Sequence, residues 1–240
     1  YWAINWPHYP LQGTDKWREH YKDHPHPRDK YGAFISSMDE IVGKVVTHVE
    51  KLGLRENTII VFQSDHGHSI ETRSFGGGGS SGPYRGAKGS LFEGGIRVPS
   101  IVSWPGKIPE GEVRSQMATG CDWFPTLAEF SGAKLPKDRK LDGKSLVDVI
   151  SNDKAASPHK SFYWQLGNQS VVREGNWKLL LNPRDHNRPE GREPSGKVFL
   201  ANLDEDPGES KNLAKKHPDV VSRLTELKQS YLNGLRAPRK

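Results

Sequence analysis

The amino-acid sequence predicts an α/β fold in two parts, because different stretches of the chain show different hydrophobic periodicities. Apolar residues recur at helical spacing over residues 31–52, and the short, β-branched run 57–63 that follows predicts a buried strand. Gly53, between them, is suited to ending the helix. Near the C-terminus, apolar runs separated by turn residues predict antiparallel strands, and residues 218–235 predict an amphipathic helix that packs on them.

The first part, residues 1–155, alternates helical and strand patterns in the manner of α/β proteins. Residues 1–6 and 98–104 are predicted strands, and residues 122–130 are a predicted short helix. Residues 68–97 form a long glycine-rich connection, and a loop of this length is either functional or disordered.

The second part, residues 156–240, begins after a polar stretch at 151–160, where we place a subdomain boundary. Its short apolar runs are joined by turn residues, which predicts a small antiparallel sheet with the last helix docked on it. The four predicted strands span residues 162–166, 170–173, 177–181 and 197–203.

Composition restricts the possible partners. The 240 residues carry a formal charge of +6, which favours polyanions such as nucleic acids, sulfated glycans or anionic surfaces. Because the sequence has no recognisable nucleic-acid-binding signature and no apolar run of membrane-spanning length, we expect neither a nucleic-acid partner nor a membrane span. The single cysteine, Cys121, excludes a disulfide within the chain and is expected to be a buried small apolar residue.

The motif Ser64-Asp65-His66-Gly67 directly follows the predicted strand 57–63. Ligands bind at the carboxyl ends of strands in open α/β sheets, and a carboxylate beside an imidazole is a reasonable half-site for a divalent metal. The alternative is that Asp65 and His66 only cap a turn, and the local sequence leaves both interpretations open.

Further motifs follow in an order and spacing that resemble the type I sulfatases, a family of the alkaline-phosphatase-like superfamily. The similarity runs nearly end to end and corresponds to the C-terminal half or more of such a protein. Each motif is weak alone, and their order makes the signal specific. They are Ser64-Asp65-His66-Gly67, Arg85-Gly86-Ala87-Lys88-Gly89, Glu93-Gly94-Gly95-Ile96-Arg97, Asp142-Gly143-Lys144-Ser145-Leu146 and Asp204-Glu205-Asp206-Pro207-Gly208-Glu209.

The resemblance implies an alkaline-phosphatase-like sandwich, of which this chain holds part of the large mixed sheet with flanking helices, plus the small C-terminal sheet. The implied activity is hydrolysis of sulfate esters, on a sulfated small molecule or glycan. Asp65 and His66 would bind the divalent cation, which is usually Ca²⁺ in this family. Since Ca²⁺ prefers oxygen ligands, His66 keeps Mn²⁺ or another transition ion open.

The resemblance also implies roles for four further side chains. Lys88 would contact the sulfate and stabilise developing negative charge, although a lone lysine is more often a surface residue. His8 would contact the sulfate or protonate the leaving oxygen, as an imidazole can near neutral pH. We expect His68 and Arg85 to contact the substrate.

One departure concerns the nucleophile, which in this family is a formylglycine made from Cys or Ser in a Cys/Ser-x-Pro/Ala-x-Arg motif. The one formal match, Ser81-Gly82-Pro83-Tyr84-Arg85, lies directly before the lysine motif rather than far upstream. We therefore expect formylglycine in an N-terminal part that precedes Tyr1, and little or no activity from these residues alone.

Two alternatives stay open from the sequence. One is a phosphate or phosphonate ester hydrolase of the same superfamily, and the other is a non-catalytic binder of sulfated polyanions. Family habit implies export to the periplasm or the extracellular space, although the chain itself contains no signal peptide. The sequence does not indicate an oligomeric state.

Overall fold

A computed structural model describes residues 1–186 and 188–236. The described residues form two antiparallel sheets, one of two strands and one of four. The strands are β1 (Ile60–Gln63), β2 (Ser100–Ser103), β3 (Ser161–Leu166), β4 (Gln169–Glu174), β5 (Trp177–Leu181) and β6 (Val198–Asn202). The α-helices are α1 (Asp15–His20), α2 (Arg28–Lys51), α3 (Glu93–Ile96), α4 (Trp123–Ser131), α5 (Val147–Ser151) and α6 (Pro218–Arg236).

The predicted first helix is confirmed as α2. It buries Ala33, Phe34 and Met38 on one face, as an amphipathic helix should. Gly53 adopts a φ of +69° and donates its N–H to the carbonyl oxygen of Glu50. This left-handed conformation favours glycine and ends the helix, so that the chain can turn into β1.

The two predicted strands of the first part are confirmed as β1 and β2, which pair antiparallel with Val61 opposite Val102. The pairing continues one step beyond the strands, because the N–H of Ser64 bonds to the carbonyl oxygen of Pro99 at 3.2 Å. The residues that follow Gln63 are therefore held at the end of this sheet. No helix among the described residues has the length and apolarity needed to cross a membrane.

The predicted antiparallel sheet of the second part is confirmed, with the strand order β3-β4-β5-β6, and both of its faces are covered. One face packs on α6, as the amphipathic pattern predicts. The buried residues of this layer are Val172, Leu179, Leu200, Val220 and Leu224. The opposite face packs on the segment that leads into α3. The buried residues there include Leu91, Phe92, Val171, Leu180, Phe199 and Ala201.

Two sequence predictions are wrong. Residues 1–6 form no strand, because none of the residues that the structure describes offers them a neighbouring strand, and the N–H of Ile4 bonds locally to the carbonyl oxygen of Trp2. Cys121 is exposed rather than buried. The short turn before α4 directs its neighbour Asp122 inward instead, where a carboxylate oxygen lies 2.7 Å from Nε2 of His159.

Candidate active site

The turn after β1 presents Asp65 and His66 to solvent at the end of the small sheet. The Asp65 side chain is 83 % exposed and that of His66 is 39 % exposed. One carboxylate oxygen of Asp65 accepts the N–H of His66 at 3.0 Å, which fixes the carboxylate beside the ring. The other, Oδ2, lies 3.2 Å from Nε2 of His66.

The hydrogen bonds of His66 leave a metal-binding atom available. The carbonyl oxygen of Gly67 lies 2.8 Å from Nδ1 of His66, and a carbonyl can only accept, so the ring proton is on Nδ1. In the neutral ring, Nε2 carries a lone pair that faces Oδ2 of Asp65 at 3.2 Å. A cation between the two atoms would be bound by both, so a divalent metal ion fits this donor pair when the ring is neutral.

These two residues make only part of a metal site. Across residues 1–186 and 188–236, no group of three or more His, Cys, Asp or Glu side chains converges as a metal cluster. A divalent cation takes at least four ligands, so further ligands would have to come from backbone, water, substrate or other residues.

Lys88 lies in the glycine-rich connection and is one-quarter exposed. Its ammonium donates a hydrogen bond to Oε2 of Glu71 at 2.9 Å and stands 5.7 Å from the centre of the Tyr9 ring. This bond to Lys88 lowers the pKa of Glu71, with a smaller effect from Ser69. An ammonium has three donors, so Lys88 can bind an anion while keeping Glu71.

His8 lies near the Lys88 region because its ring contacts that of its neighbour Tyr9. The His8 ring lies 4.1 Å from the Tyr9 ring, and its Nδ1 bonds to the Tyr9 carbonyl oxygen at 2.9 Å. The Tyr9 ring in turn faces the Lys88 ammonium, and the Arg73 guanidinium stands 5.8 Å from its centre. The structure thus places the two predicted catalytic residues, His8 and Lys88, each near the ring of Tyr9.

His68 joins the turn at residues 64–67, called the metal turn below, to the loop at residues 85–89, called the lysine loop. Its carbonyl oxygen accepts the backbone N–H of Lys88 at 2.9 Å, and its side chain is half-buried. Burial, together with the nearby His186, lowers the pKa of His68. His68 also lines a cavity of about 370 Å³, whose other lining residues include Ile70, Gly76, Gly77, Gly78, Gly79, Ser80, Ser81, Tyr84 and Pro189.

The structure does not place Arg85 where a substrate could meet it. Its side chain is fully buried, and its guanidinium donates to both carboxylate oxygens of Asp185, at 2.9 and 2.7 Å. It also donates to the carbonyl oxygens of Glu193 and Glu209. Because every one of these partners is internal, we give Arg85 a structural role and remove it from the substrate-binding set.

The short helix α3 contacts both the metal turn and the lysine loop through backbone hydrogen bonds. The N–H of Gly67 bonds to the carbonyl oxygen of Gly95 at 2.9 Å, and the N–H of Gly94 bonds to that of Arg85 at 2.6 Å. A β-carbon on Gly67 would overlap the Gly94 carbonyl oxygen. One on Gly95 would overlap that of Ser90. Only glycine allows this approach.

Sequence reasoning missed a buried ionic cluster beneath α3. The ammonium of Lys178, on β5, lies 2.8 Å from Oε1 of Glu93 and 2.9 Å from Oε1 of Glu209. Lys178 and Glu209 are fully buried, and Glu93 nearly so. A signal was present, since strand alternation places Lys178 on the same buried face of β5 as Leu180, where an unpaired lysine would be costly.

The formal nucleophile motif at residues 81–85 does not resemble a nucleophile site in the structure. Ser81 lies in an irregular loop, and its hydroxyl donates to the carbonyl oxygens of Tyr84 and Gly86, at 2.8 and 3.2 Å. Arg85 of the same motif is buried. This geometry agrees with the sequence argument against Ser81.

Comparison with known proteins identifies the class of this protein. A family model described as "Sulfatase" matches residues 1–133, and a second, described as "N-sulphoglucosamine sulphohydrolase, C-terminal", matches residues 86–235. The chain belongs to the sulfatase family. The mixed α/β architecture with antiparallel sheets agrees with the predicted alkaline-phosphatase-like fold.

The individual proteins that this chain is similar to carry different names. Steryl-sulfatase of Rattus norvegicus is 41 % identical over 136 residues, covering 55 % of this chain and 24 % of the relative. N-acetylgalactosamine-6-sulfatase of Mus musculus is 29 % identical over 258 residues, covering 98 % and 48 %. A crystal structure of Ps i-CgsB in complex with k-i-k-neocarrahexaose has a TM-score of 0.78 and 27 % identity, covering 94 % of this chain and 48 % of that one. The chain thus spans half or less of each relative's length.

Proposed function

We propose that this chain supplies part of the active site of a sulfuric ester hydrolase that acts on sulfated carbohydrates. The observation that carries the proposal is that Lys88 and His8 both lie near the ring of Tyr9. The lysine backbone is hydrogen-bonded to His68, only two residues beyond the Asp65–His66 pair. Family membership gives these side chains a common chemistry.

In this proposal each residue has a definite task. Asp65 and His66 hold a divalent cation, with Ca²⁺ as the first candidate and Mn²⁺ as the alternative that the imidazole allows. When bound, the cation supplies positive charge that binds the sulfate oxygens and activates the nucleophile. Lys88 adds a second positive charge on the transferring group, with Glu71 orienting its ammonium.

His8 is the proposed proton donor to the leaving oxygen. Its Nδ1 is occupied by the Tyr9 carbonyl oxygen, so Nε2 is the atom that would carry the transferred proton. The nucleophile, formylglycine in this family, would come from residues outside the 240 considered. His68 is retained as a proposed substrate contact, because its ring borders the cavity next to the lysine loop.

The lining of the cavity favours a sugar over a sterol. Glycines and serines form most of its wall, and Tyr84 is its only aromatic residue within the described chain. Backbone amides and hydroxyls suit the hydroxyl groups of a carbohydrate, whereas a sterol needs a broad apolar surface. The name of one relative, N-acetylgalactosamine-6-sulfatase, and the k-i-k-neocarrahexaose in the complex with Ps i-CgsB point the same way.

We further propose that residues 156–240 act as a C-terminal subdomain and that the protein is exported. The first rests on the sheet β3–β6 with α6, and the second on family resemblance. Mass mapping of the protein from its natural source tests the second, because a processed leader upstream of Tyr1 would show export. The same map would reveal a formylglycine peptide.

Turnover by the native-length protein tests the proposed activity. We expect hydrolysis of 4-nitrophenyl sulfate in large excess over 4-nitrophenyl phosphate, loss on chelation, and a higher kcat/KM for N-acetylgalactosamine 6-sulfate than for a steryl sulfate. Faster phosphate hydrolysis would favour a phosphoesterase. Metal-independent, salt-sensitive binding of sulfated glycans without turnover would favour a non-catalytic binder.

A further inference from the structure

The segment that carries Lys88 is docked on the C-terminal sheet and on the chain that follows β5. The carbonyl oxygen of Lys88 accepts from Nε2 of His186 at 3.1 Å, and that of Gly89 accepts from the amide of Gln169 at 2.8 Å. The hydroxyl of Ser90 donates to the carbonyl oxygen of Arg184 at 2.9 Å. Next along the chain, Phe92 packs edge-on against Phe199 of β6, with ring centres 5.3 Å apart.

Lys178, on strand β5 of the same sheet, contacts α3 through an ion pair. Glu93 is the first residue of α3, and its carboxylate meets the Lys178 ammonium at 2.8 Å. Its backbone N–H donates to Oε2 of Glu209 at 2.6 Å, and the other oxygen of Glu209 lies 2.9 Å from the same ammonium. Lys178 thus joins both the side chain and, through Glu209, the backbone of the first residue of α3.

Burying this cluster costs desolvation free energy, which argues that its side chains do more than fill the core. Three ionisable side chains lie out of water where apolar residues would satisfy the core. Glu209 is also held at a φ of +54°, a conformation that few residues other than glycine adopt. Directional ionic contacts fix one orientation of α3, whereas apolar packing alone would tolerate several.

We propose that Lys178 is a positioning residue of the active site: from β5 it fixes α3 through Glu93 and Glu209, and α3 fixes the Lys88 loop and the Asp65–His66 turn. The last link is the close packing of Gly67 on Gly94 and the bond from the Gly67 N–H to Gly95. Calling these residues a site rests on the proposed sulfatase function, while the anchoring of α3 does not.

Site-resolved amide hydrogen exchange on the native-length protein tests the anchoring. In Lys178→Met we expect the Gly67 and Gly94 amides to exchange about tenfold faster or more, with amides of the β4–β5 ladder changed less than about threefold. Arg114→Met is the matched control. Its guanidinium is also mostly buried and bonds to the carbonyl oxygens of Val149 and Ile150, away from α3.

Glu93→Gln keeps the test decisive if Lys178→Met does not fold, because it removes one carboxylate and leaves a balanced Lys178–Glu209 pair. It should also accelerate exchange at Gly67 and Gly94 selectively, by several-fold. Acceleration spread evenly over α3 and the β4–β5 ladder, in both variants, would overturn the proposal and make Lys178 an ordinary stabilising residue.

A kinetic readout separates this inference from the proposed function. If the parent protein hydrolyses a sulfate ester, Lys178→Met and Glu93→Gln should lower kcat about tenfold or more with little change in KM, and Arg114→Met should not. If the parent has no such activity, the proposed function fails. The exchange data then decide the anchoring by themselves.

Discussion

The carbonyl oxygen of Gly94 occupies the space that a β-carbon on Gly67 would need. Gly67 ends the Asp65–His66 turn and Gly94 lies inside α3, so the contact joins the predicted metal ligands to the helix that also supports the lysine loop. The hydrogen bond from the Gly67 N–H to Gly95 shows that the approach is a bonded one.

Gly67→Ala is therefore expected to destabilise the protein and to disturb the metal turn. Forcing a methyl group against backbone costs about 2 kcal/mol or more, because backbone cannot move aside as a side chain can. Gly43→Ala is the matched control, since Gly43 lies in α2 with open space around it and should gain about 0.5–1 kcal/mol. Urea denaturation of both variants measures the difference, and equal effects would contradict the packing.

Substitution of the metal pair should weaken cation binding without unfolding the protein. Asp65 is largely exposed and His66 partly so, which means that Asp65→Asn and His66→Ala lose ligands but little packing. We expect Ca²⁺ affinity of the native-length protein to fall about tenfold or more in each, as charge and ligand number set calcium affinity.

Calorimetric titration with Ca²⁺ and Mn²⁺ measures this effect, with exposed Asp153→Asn as the control. Unchanged affinity in both variants would show that Asp65 and His66 only cap the turn. A stronger loss for Mn²⁺ than for Ca²⁺ in His66→Ala would identify the imidazole as a true ligand, because nitrogen ligands matter more to the transition ion.

The buried cluster predicts a dependence of stability on pH. The pKa of Glu209 is raised to about 7, because burial and the Glu93 carboxylate, which raise it, outweigh the Lys178 ammonium, which lowers it. For Glu93, burial is outweighed by Lys178, with help from Arg173 and Arg97, and its pKa is lowered. Arg85 donates to the backbone carbonyl oxygen of Glu209.

The sign follows from linkage. Folded Glu209 keeps a proton that the unfolded chain releases near its ordinary value of 4.5, so its contribution is fully present below pH 4.5 and is lost as the pH rises through about 7. Glu209→Gln should therefore be more stable than the parent at pH 8, by about 2–3 kcal/mol, and nearly equal to it at pH 5. Denaturation at the two pH values measures this, with exposed Glu205→Gln as control. An equal difference at both pH values would contradict it.

Local patterns predicted most of the fold. The helix α2, the strands β1 to β6 and the terminal helix all arise from periodicities that lie within each segment, and the sulfatase motifs are contiguous in sequence. The predictions failed where contacts with other residues of the chain decide the local structure. Residues 1–6 have a strand-like composition but no neighbouring strand within the described structure, and Cys121 is exposed because Asp122 takes the inward position.

The site shows the same division. Asp65, His66 and Lys88 were predicted from motifs, but the burial of Arg85 depends on Asp185, 100 residues away in the chain. The Lys178–Glu93 pair spans 85 residues. The spacing of residues within a segment does not indicate contacts between residues so far apart in the chain. The position of Lys178 on a buried strand face was the one sequence signal, and it indicated an unidentified partner for this lysine.

The central claim is that Lys88 binds the transferring sulfate group, and its substitution tests that claim most directly. In the native-length protein, Lys88→Met should lower kcat/KM for 4-nitrophenyl sulfate by about 100-fold or more, since a positive charge on the developing anion is lost. Lys107→Met, at an exposed lysine outside the site, should leave it unchanged. A Lys88→Met protein that folds and hydrolyses the sulfate ester at the parent rate would contradict the account.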